Sequence, residues 1–316
     1  MRKSLQFSTL ALWKVLWRSV GLGESKMVGN KMSFVQLGHG PLDYQVCTYP
    51  GSRATFRGPA QDLSGAFVLC LGGSETFGKF VAQPFSELLQ AALGGVVVNM
   101  GAMNASVDFM LFDPAVTAAR EAAKQIVLQV PPAHNLSNRF YTVHPRRNDR
   151  LIKASALLQT IYREVDFTDF HYTRHMLSAL QVLSADRFDI IVHELRTAWA
   201  ARMRQLITSF SVPVHLLWMS QRAPDDYAPD AVLGIDPLFV TTEMMAEIAS
   251  LASSVTLSAW PQVEHDVGLS GMFFGPREAK AACLMPVPDH HLHTANALVS
   301  KLRPNTTKRK RPANQR

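Results

Sequence analysis

The stretch 71–80, LGGSETFGKF, could support two different chemistries. In the first, Ser74 is a nucleophile. It follows the apolar run Ala66-Phe67-Val68-Leu69-Cys70-Leu71 and stands where a strand should pass into a helix. A hydroxyl there is displayed at the edge of a sheet, and the N–H groups that open the helix favour developing negative charge. Gly72 and Gly73 permit the sharp turn. In the second, Gly73 to Lys79 is G-x-x-x-x-G-K, most of a phosphate-binding loop. Phe80 occupies the place of the hydroxyl that would bind magnesium, and no apolar strand ends in the aspartate that completes such a site. The second chemistry therefore reduces to nucleotide or sulfonucleotide binding by a transferase without the metal.

Short β-rich runs alternate with helical patterns, which predicts a parallel sheet covered by helices. Strands are expected at 66–71, 95–99, 125–130, 213–219 and 254–258, and helices near 84–93, 113–124, 151–162, 173–183, 190–210, 241–251 and 292–302. Sheets of this type place ligands beyond the carboxyl ends of their strands. The segments after the first three strands, GGSETFG, MGAMNAS and PPAHNLSN, are thus where chemistry belongs. Pro288-Asp289-His290-His291-Leu292-His293 stands just before the final helical pattern. Each residue also has a plain structural use: a serine after two glycines caps helices, and an asparagine after a strand makes turns.

In that order these segments resemble the SGNH (GDSL-type) hydrolases. Gly72, Ser74, Thr76 and Gly78 match the pattern G-D-S-x-T-x-G, with Gly73 in place of the aspartate. The resemblance implies a three-layer α/β fold, a mostly parallel flavodoxin-like sheet with helices on both faces. It also implies acyl-ester hydrolysis or acyl transfer on an acylated carbohydrate or similar polar substrate. Ser74 would attack; the N–H groups of Ser74 and Asn104 with the Asn135 side chain would hold the oxyanion, Asn138 being the alternative to Asn135. His291 would be the base, oriented by Asp289, with His290 and His293 open because no histidine falls three residues after Asp289. The departures from the pattern leave room for a degenerate fold that binds a glycan, nucleotide or partner without turnover. LGGSETFGKF, VVNMGAMNASVDFML, SNRFYTVHPRRNDR and EVDFTDFHYTRHML together resemble an uncharacterised alphaproteobacterial family known as a domain of unknown function, over most of residues 32–302.

The stretch 131–175 is long and polar for a connection and reads as a functional excursion. Arg139, Arg146 and Arg147 are its candidates for anchoring an anionic or sugar-like substrate, since guanidinium forks suit carboxylate, sulfate and phosphate. His171 and His175 stand four apart on an expected helix, a spacing that can hold a metal, but no third ligand follows at a matching interval, and no metal or cofactor is expected. Arg174 is expected to pair with Asp169 or Glu164. The net charge of +7 is carried by the ends: residues 1–31 contribute +5 and 303–316 contribute +6, leaving the middle at −4. A mildly acidic body argues against a specific nucleic-acid partner. Residues 1–31 read as a basic extension, with 10–20 able to lie weakly on a membrane surface and Met32 a possible start; 303–316 reads as a basic tail. Three cysteines without a C-x-x-C pair, no secretory h-region and no run of about 20 apolar residues point to a single cytoplasmic domain over 32–302.

Overall fold

The apolar runs can be buried on both faces only if helices cover both sides of the sheet, and the fold does this. The computed structural model describes residues 41–226, 233–260 and 269–303. Its strands are β1 (Phe67–Gly72), β2 (Val96–Gly101), β3 (Gln125–Gln129), the short antiparallel pair β4 (Tyr141–Val143) and β5 (Leu151–Ala154), then β6 (Val214–Ser220) and β7 (Ser254–Ala259). Its α-helices are α1 (Ser74–Phe77), α2 (Phe85–Leu93), α3 (Val107–Phe112), α4 (Pro114–Ala122), α5 (Ala156–Ile161), α6 (Thr173–Leu183), α7 (Ala185–Thr208), α8 (Thr242–Ala249), α9 (Ala279–Ala282) and α10 (Pro288–Leu302). The main sheet has the order β2-β1-β3-β6-β7 with every pair parallel, the doubly wound order of flavodoxin-like folds. The expected surface helix over 10–20, the extension 1–31 and the basic run 308–311 lie outside the described residues. Among the described residues no helix is long and apolar enough to cross a membrane.

Strand periodicity assigns the two cores. Leu69, Leu71, Ile126, Leu128, Leu216 and Trp218 point into the larger one, with α3 to α8. Cys70, Val127, Leu217 and Met219, the residues between them, point into the smaller one, under α2 and α10. Helix α7 is capped by Ser184, whose hydroxyl accepts from Arg187 N–H, and buries Phe188, Ile191, Leu195, Trp199, Met203 and Leu206 at intervals of three and four. Each such large apolar side chain contributes roughly 2 kcal/mol of burial before entropy is counted. Trp199 also donates from Nε1 to the carbonyl of Pro131 at 2.9 Å, pinning the start of the polar excursion.

Three expectations are corrected. The helix expected over 151–162 is a strand, β5, followed by the single short helix α5, whose N-cap is Ser155. The helix expected from 190 begins five residues earlier, at Ala185, behind its Ser184 cap. The last helix begins at Pro288, not 292, because proline at the first helical position costs no backbone hydrogen bond. That shift of four residues carries Asp289, His290 and His291 into the helix. His291 then falls on the buried stripe His291, Ala295, Leu298, Leu302.

His291 is fully buried, stacks on Phe85 with ring centroids 6.2 Å apart, and accepts at Nδ1 from Phe85 N–H at 3.1 Å. It fixes the start of α2. Burial lowers its pKa to about 3, and burial likewise lowers that of His134 to about 4. In the unfolded chain both would titrate near 6.5. As pH falls below that value, the unfolded chain takes up protons that the folded chain refuses, so stability falls on the order of 1 kcal/mol per pH unit for each histidine until the folded values are reached. The urea midpoint should therefore be clearly lower at pH 5 than at pH 7. His291→Gln, which keeps an acceptor for Phe85 N–H, should show a shallower dependence; a pH-independent midpoint in the wild type would contradict this account.

Candidate functional site

The tips of β1, β2 and β3 close on one another beside the turn that carries Ser74. A Cβ on Gly72 would stand 2.1 Å from Thr76 Oγ1 and 2.4 Å from Gln129 Oε1; one on Gly101 would stand 2.4 Å from Phe77 N. Only glycine fits at either tip. The turn is held by Gln129, the last residue of β3. Its Oε1 accepts from Gly73 N–H at 3.1 Å, Thr76 N–H at 3.2 Å and Thr76 Oγ1–H at 2.5 Å, while its Nε2 donates to Glu75 Oε2 at 2.8 Å. Asn99 of β2 braces the same helix from the other side, donating to the Thr76 carbonyl and to Ser86 Oγ, each at 2.8 Å.

Ser74 is the first residue of α1, so its N–H has no acceptor within the helix. None of the other described residues accepts from it. Its Oγ receives the N–H of Asn104 at 3.1 Å and lies 3.4 Å from Asn104 Oδ1. Asn104 has φ +58, a left-handed conformation that asparagine tolerates better than most side chains. The Asn104 carbonyl is held by Asn148 N–H at 3.0 Å, and Asn148 Oδ1 accepts from Ser106 N–H at 2.7 Å at the start of α3. Asn135 follows β3; its Oδ1 accepts from Thr173 Oγ1 at 2.7 Å, which leaves its Nδ2 as the donor end. Asn138 is not an alternative. Its Oδ1 accepts from Phe140 and Tyr141 N–H and its Nδ2 donates to the Leu136 carbonyl, so it is consumed in a turn.

The structure brings Ser74 and Asn104 together and withdraws the expected base. His291 is sealed between α2 and α10, and Asp289 is exposed in the first turn of α10 without touching it. His290 stacks on Trp260 with centroids 5.3 Å apart, and His293 is exposed. Among the described residues no imidazole is hydrogen-bonded to Ser74 Oγ. The phosphate loop does not form either. The N–H groups of Phe77, Gly78 and Lys79 turn back to the carbonyls of Gly73 and Ser74, those of Gly73 and Thr76 go to Gln129, and Lys79 Nζ sits 4.5 Å over the Phe80 ring.

A cavity of about 340 Å³ opens beside Glu75, lined also by Arg174, Gln221, Asp236, Trp260 and Met285. Arg174 pairs here with Asp236 at 2.6 Å, not with Asp169 or Glu164; Glu164 is taken by Arg187. His134, 2% exposed, has its Nδ1 3.9 Å from Asp236 Oδ1. Burial raises the pKa of the Glu75 carboxyl above the ordinary range, against the opposing hydrogen bond from Gln129. Glu75, Gln129 and Asp236 were not legible as site residues, because each reads alone as an ordinary polar residue at a strand or helix end. The excursion arginines do not gather here. Arg139 is spent on Glu194 at 2.6 Å, Arg146 lines a separate cleft, and Arg147 is exposed. His171 precedes α6, which starts at Thr173, so it shares no helix face with His175; His175 meets Phe170 edge-on with centroids 5.0 Å apart.

The family model described as a domain of unknown function (DUF6473) matches residues 32–306. No curated protein matches. Similar solved structures include the lipase Lip_vut3 from a goat rumen metagenome, at 9% identity and TM-score 0.38 over 75% of this chain and 97% of that one. A catalytic mutant of Axe2, an acetylxylan esterase from Geobacillus stearothermophilus, is 12% identical at TM-score 0.38 over 75% of this chain and 94% of that one. LAE5, an alpha/beta hydrolase enzyme from the metagenome of Lake Arreo in Spain, is 12% identical at TM-score 0.33 over 74% of this chain and 97% of that one.

Replacing Gln129 by leucine keeps the volume and strands three buried donors. Each unsatisfied group costs about 1–3 kcal/mol, so Gln129→Leu should lower stability by about 3 kcal/mol or more in urea unfolding. A midpoint equal to that of the wild type would show that the turn does not depend on the amide.

Proposed function

We propose that this chain, which belongs to the DUF6473 family, is an ester hydrolase or acyltransferase whose nucleophile is Ser74. The observation that carries the reading is the Asn104 N–H, donated to Ser74 Oγ at 3.1 Å beside the unclaimed N–H of Ser74 itself. A carbonyl oxygen seated there would gain two backbone donors as it became an oxyanion, with the Asn135 amide as a third. In this reading Ser74 Oγ bonds to the acyl carbon as its proton passes to a base. The ester C–O bond breaks and the alcohol leaves carrying that proton, and water or an acceptor hydroxyl then takes the acyl group and frees the serine. The base is not His291, whose Nδ1 serves Phe85. The cavity beside Glu75, with Arg174, Gln221 and Asp236 among its lining, would take the leaving-group side of an acylated carbohydrate or comparable polar substrate.

A second reading, a site that binds such a ligand without turning it over, is favoured by one observation: no described imidazole meets Ser74 Oγ. Turnover of an activated ester by the purified protein separates the two. The wild type should hydrolyse 4-nitrophenyl acetate and be labelled by a fluorophosphonate, and Ser74→Ala should lose about 100-fold or more in kcat/KM together with the label. Alanine replacement of His134, whose Nδ1 lies 3.9 Å from Asp236 Oδ1, reads whether that imidazole takes the proton. Equal rates in wild type and Ser74→Ala, or no turnover in either, would overturn the catalytic reading.

A further inference from the structure

The turn His144-Pro145-Arg146-Arg147 does not serve the Ser74 hollow, yet Arg146 is placed with care. The Nδ1 of His144 accepts from the N–H groups of Arg146 and Arg147, both at 3.2 Å, and Asn148 Nδ2 donates to the His144 carbonyl at 3.0 Å. These bonds fix the turn, and Arg146 lines a cleft of about 620 Å³ that shares no lining residue with the cavity at Glu75. Arg53, from the segment before β1, lines the same cleft. The volume lies within the ordinary range for a small-molecule site.

The charges of this cleft do not balance internally. Asp108 is satisfied: it pairs with Arg202, and its Oδ2 accepts from Ser137 N–H at 2.7 Å. Asp113 is satisfied as the cap of α4, taking Ala115 and Val116 N–H on one oxygen and Ser52 Oγ–H at 2.7 Å on the other. Neither guanidinium of Arg53 and Arg146 finds an acceptor among the described residues, and with Asp113 held only by neutral donors, three arginines against two aspartates leave the cleft one positive charge in excess. Its rim is apolar: Phe112 is 60% exposed and Ile152 is 55% exposed. Large apolar side chains held open to water beside unpaired arginines suit one kind of occupant.

We propose that this cleft binds an organic anion with an apolar body, a phosphate or carboxylate head held by Arg53 and Arg146 and a ring or acyl chain laid against Phe112 and Ile152. The head takes the guanidinium forks in place of water, and the body covers the rim. The preset turn removes part of the ordering cost of binding. The site is separate from the Ser74 chemistry and does not depend on whether that chemistry occurs.

Calorimetric titration of the full chain with 1-naphthyl phosphate tests this, because a phosphate monoester probes binding with no acyl group to hydrolyse. It should bind about tenfold or more tightly than inorganic phosphate or 1-naphthol, which carry the head or the body alone, and its affinity should fall as salt rises. Combining Arg53→Ala with Arg146→Ala should weaken it about tenfold or more, and Arg163→Ala, an exposed arginine that does not line the cleft, should not. Failure of 1-naphthyl phosphate to bind, or equal affinity in the double variant, would overturn the site. Should the double variant melt below the wild type, Ile152→Asp is read in its place: a carboxylate on the exposed rim must repel the probe, and unchanged affinity would overturn the proposal.

Discussion

One side-chain amide decides the geometry of the strand tips. Gln129 collects three donors from the Ser74 turn on one oxygen and returns a hydrogen bond to Glu75 from its nitrogen. Only a neutral group with an acceptor and a donor can do both. A carboxylate would face Glu75 as a like charge, and an apolar side chain would leave the turn's donors buried and empty. Gln129 reaches the turn because β1 and β3 are parallel neighbours, with Leu71 beside Leu128. A register slip of one residue would turn the amide to the other face of the sheet and release the turn. Sheet pairing and the display of Ser74 are therefore one constraint.

The same logic organises the polar residues around it. Asn99 ties β2 to α1, and Asn148 holds the carbonyl of Asn104 while bonding the start of α3. Thr173 joins the entry of α6 to Asn135 and to the Asp149 carbonyl. These bonds answer the donors and acceptors that an irregular backbone exposes when packed against a core. Much of the polarity of residues 131–175 is spent in this way: Asn138 closes a turn, Arg139 meets Glu194, and His144 supports its own loop. Density of hydrogen-bonding side chains marked a structural network more than a ligand shell.

The five sheet strands were readable because continuous apolar runs have few other uses, and their parallel pairing followed from the helices between them. The closeness of Ser74 and Asn104 was readable from chain order alone, since both follow adjacent strands. The histidine was misread at a single boundary. Extending the stripe Ala295, Leu298, Leu302 back by four residues lands on His291, and Pro288 marks the start, so the signal was present but was outweighed by the expectation of a base. Strands β4 and β5 are short and mixed in polarity, with a register shift between Thr142 and Val143, so no periodicity announces them. Gln129 was unreadable in principle. Its role lies in three partners contributed by another strand tip, and nothing in QIVLQV distinguishes it from a residue that merely ends a strand.

Counting amides shows how few donors the glycine-rich turn leaves free. A phosphate has three terminal oxygens and is bound by several N–H groups converging from a loop. Here the N–H groups of Gly73, Thr76, Phe77, Gly78 and Lys79 are committed to Gln129 or to the turn's own carbonyls, and that of Glu75 supports its own carboxylate. What remains is the N–H of Ser74, joined from the neighbouring tip by that of Asn104. In the proposed reading, these two donors beside a hydroxyl would serve a charge that develops on a single oxygen as a bond forms at that hydroxyl. They fall short of what a standing phosphate dianion requires. The glycines of this turn serve close approach between strand tips, and the approach is what puts a second amide within reach of Ser74.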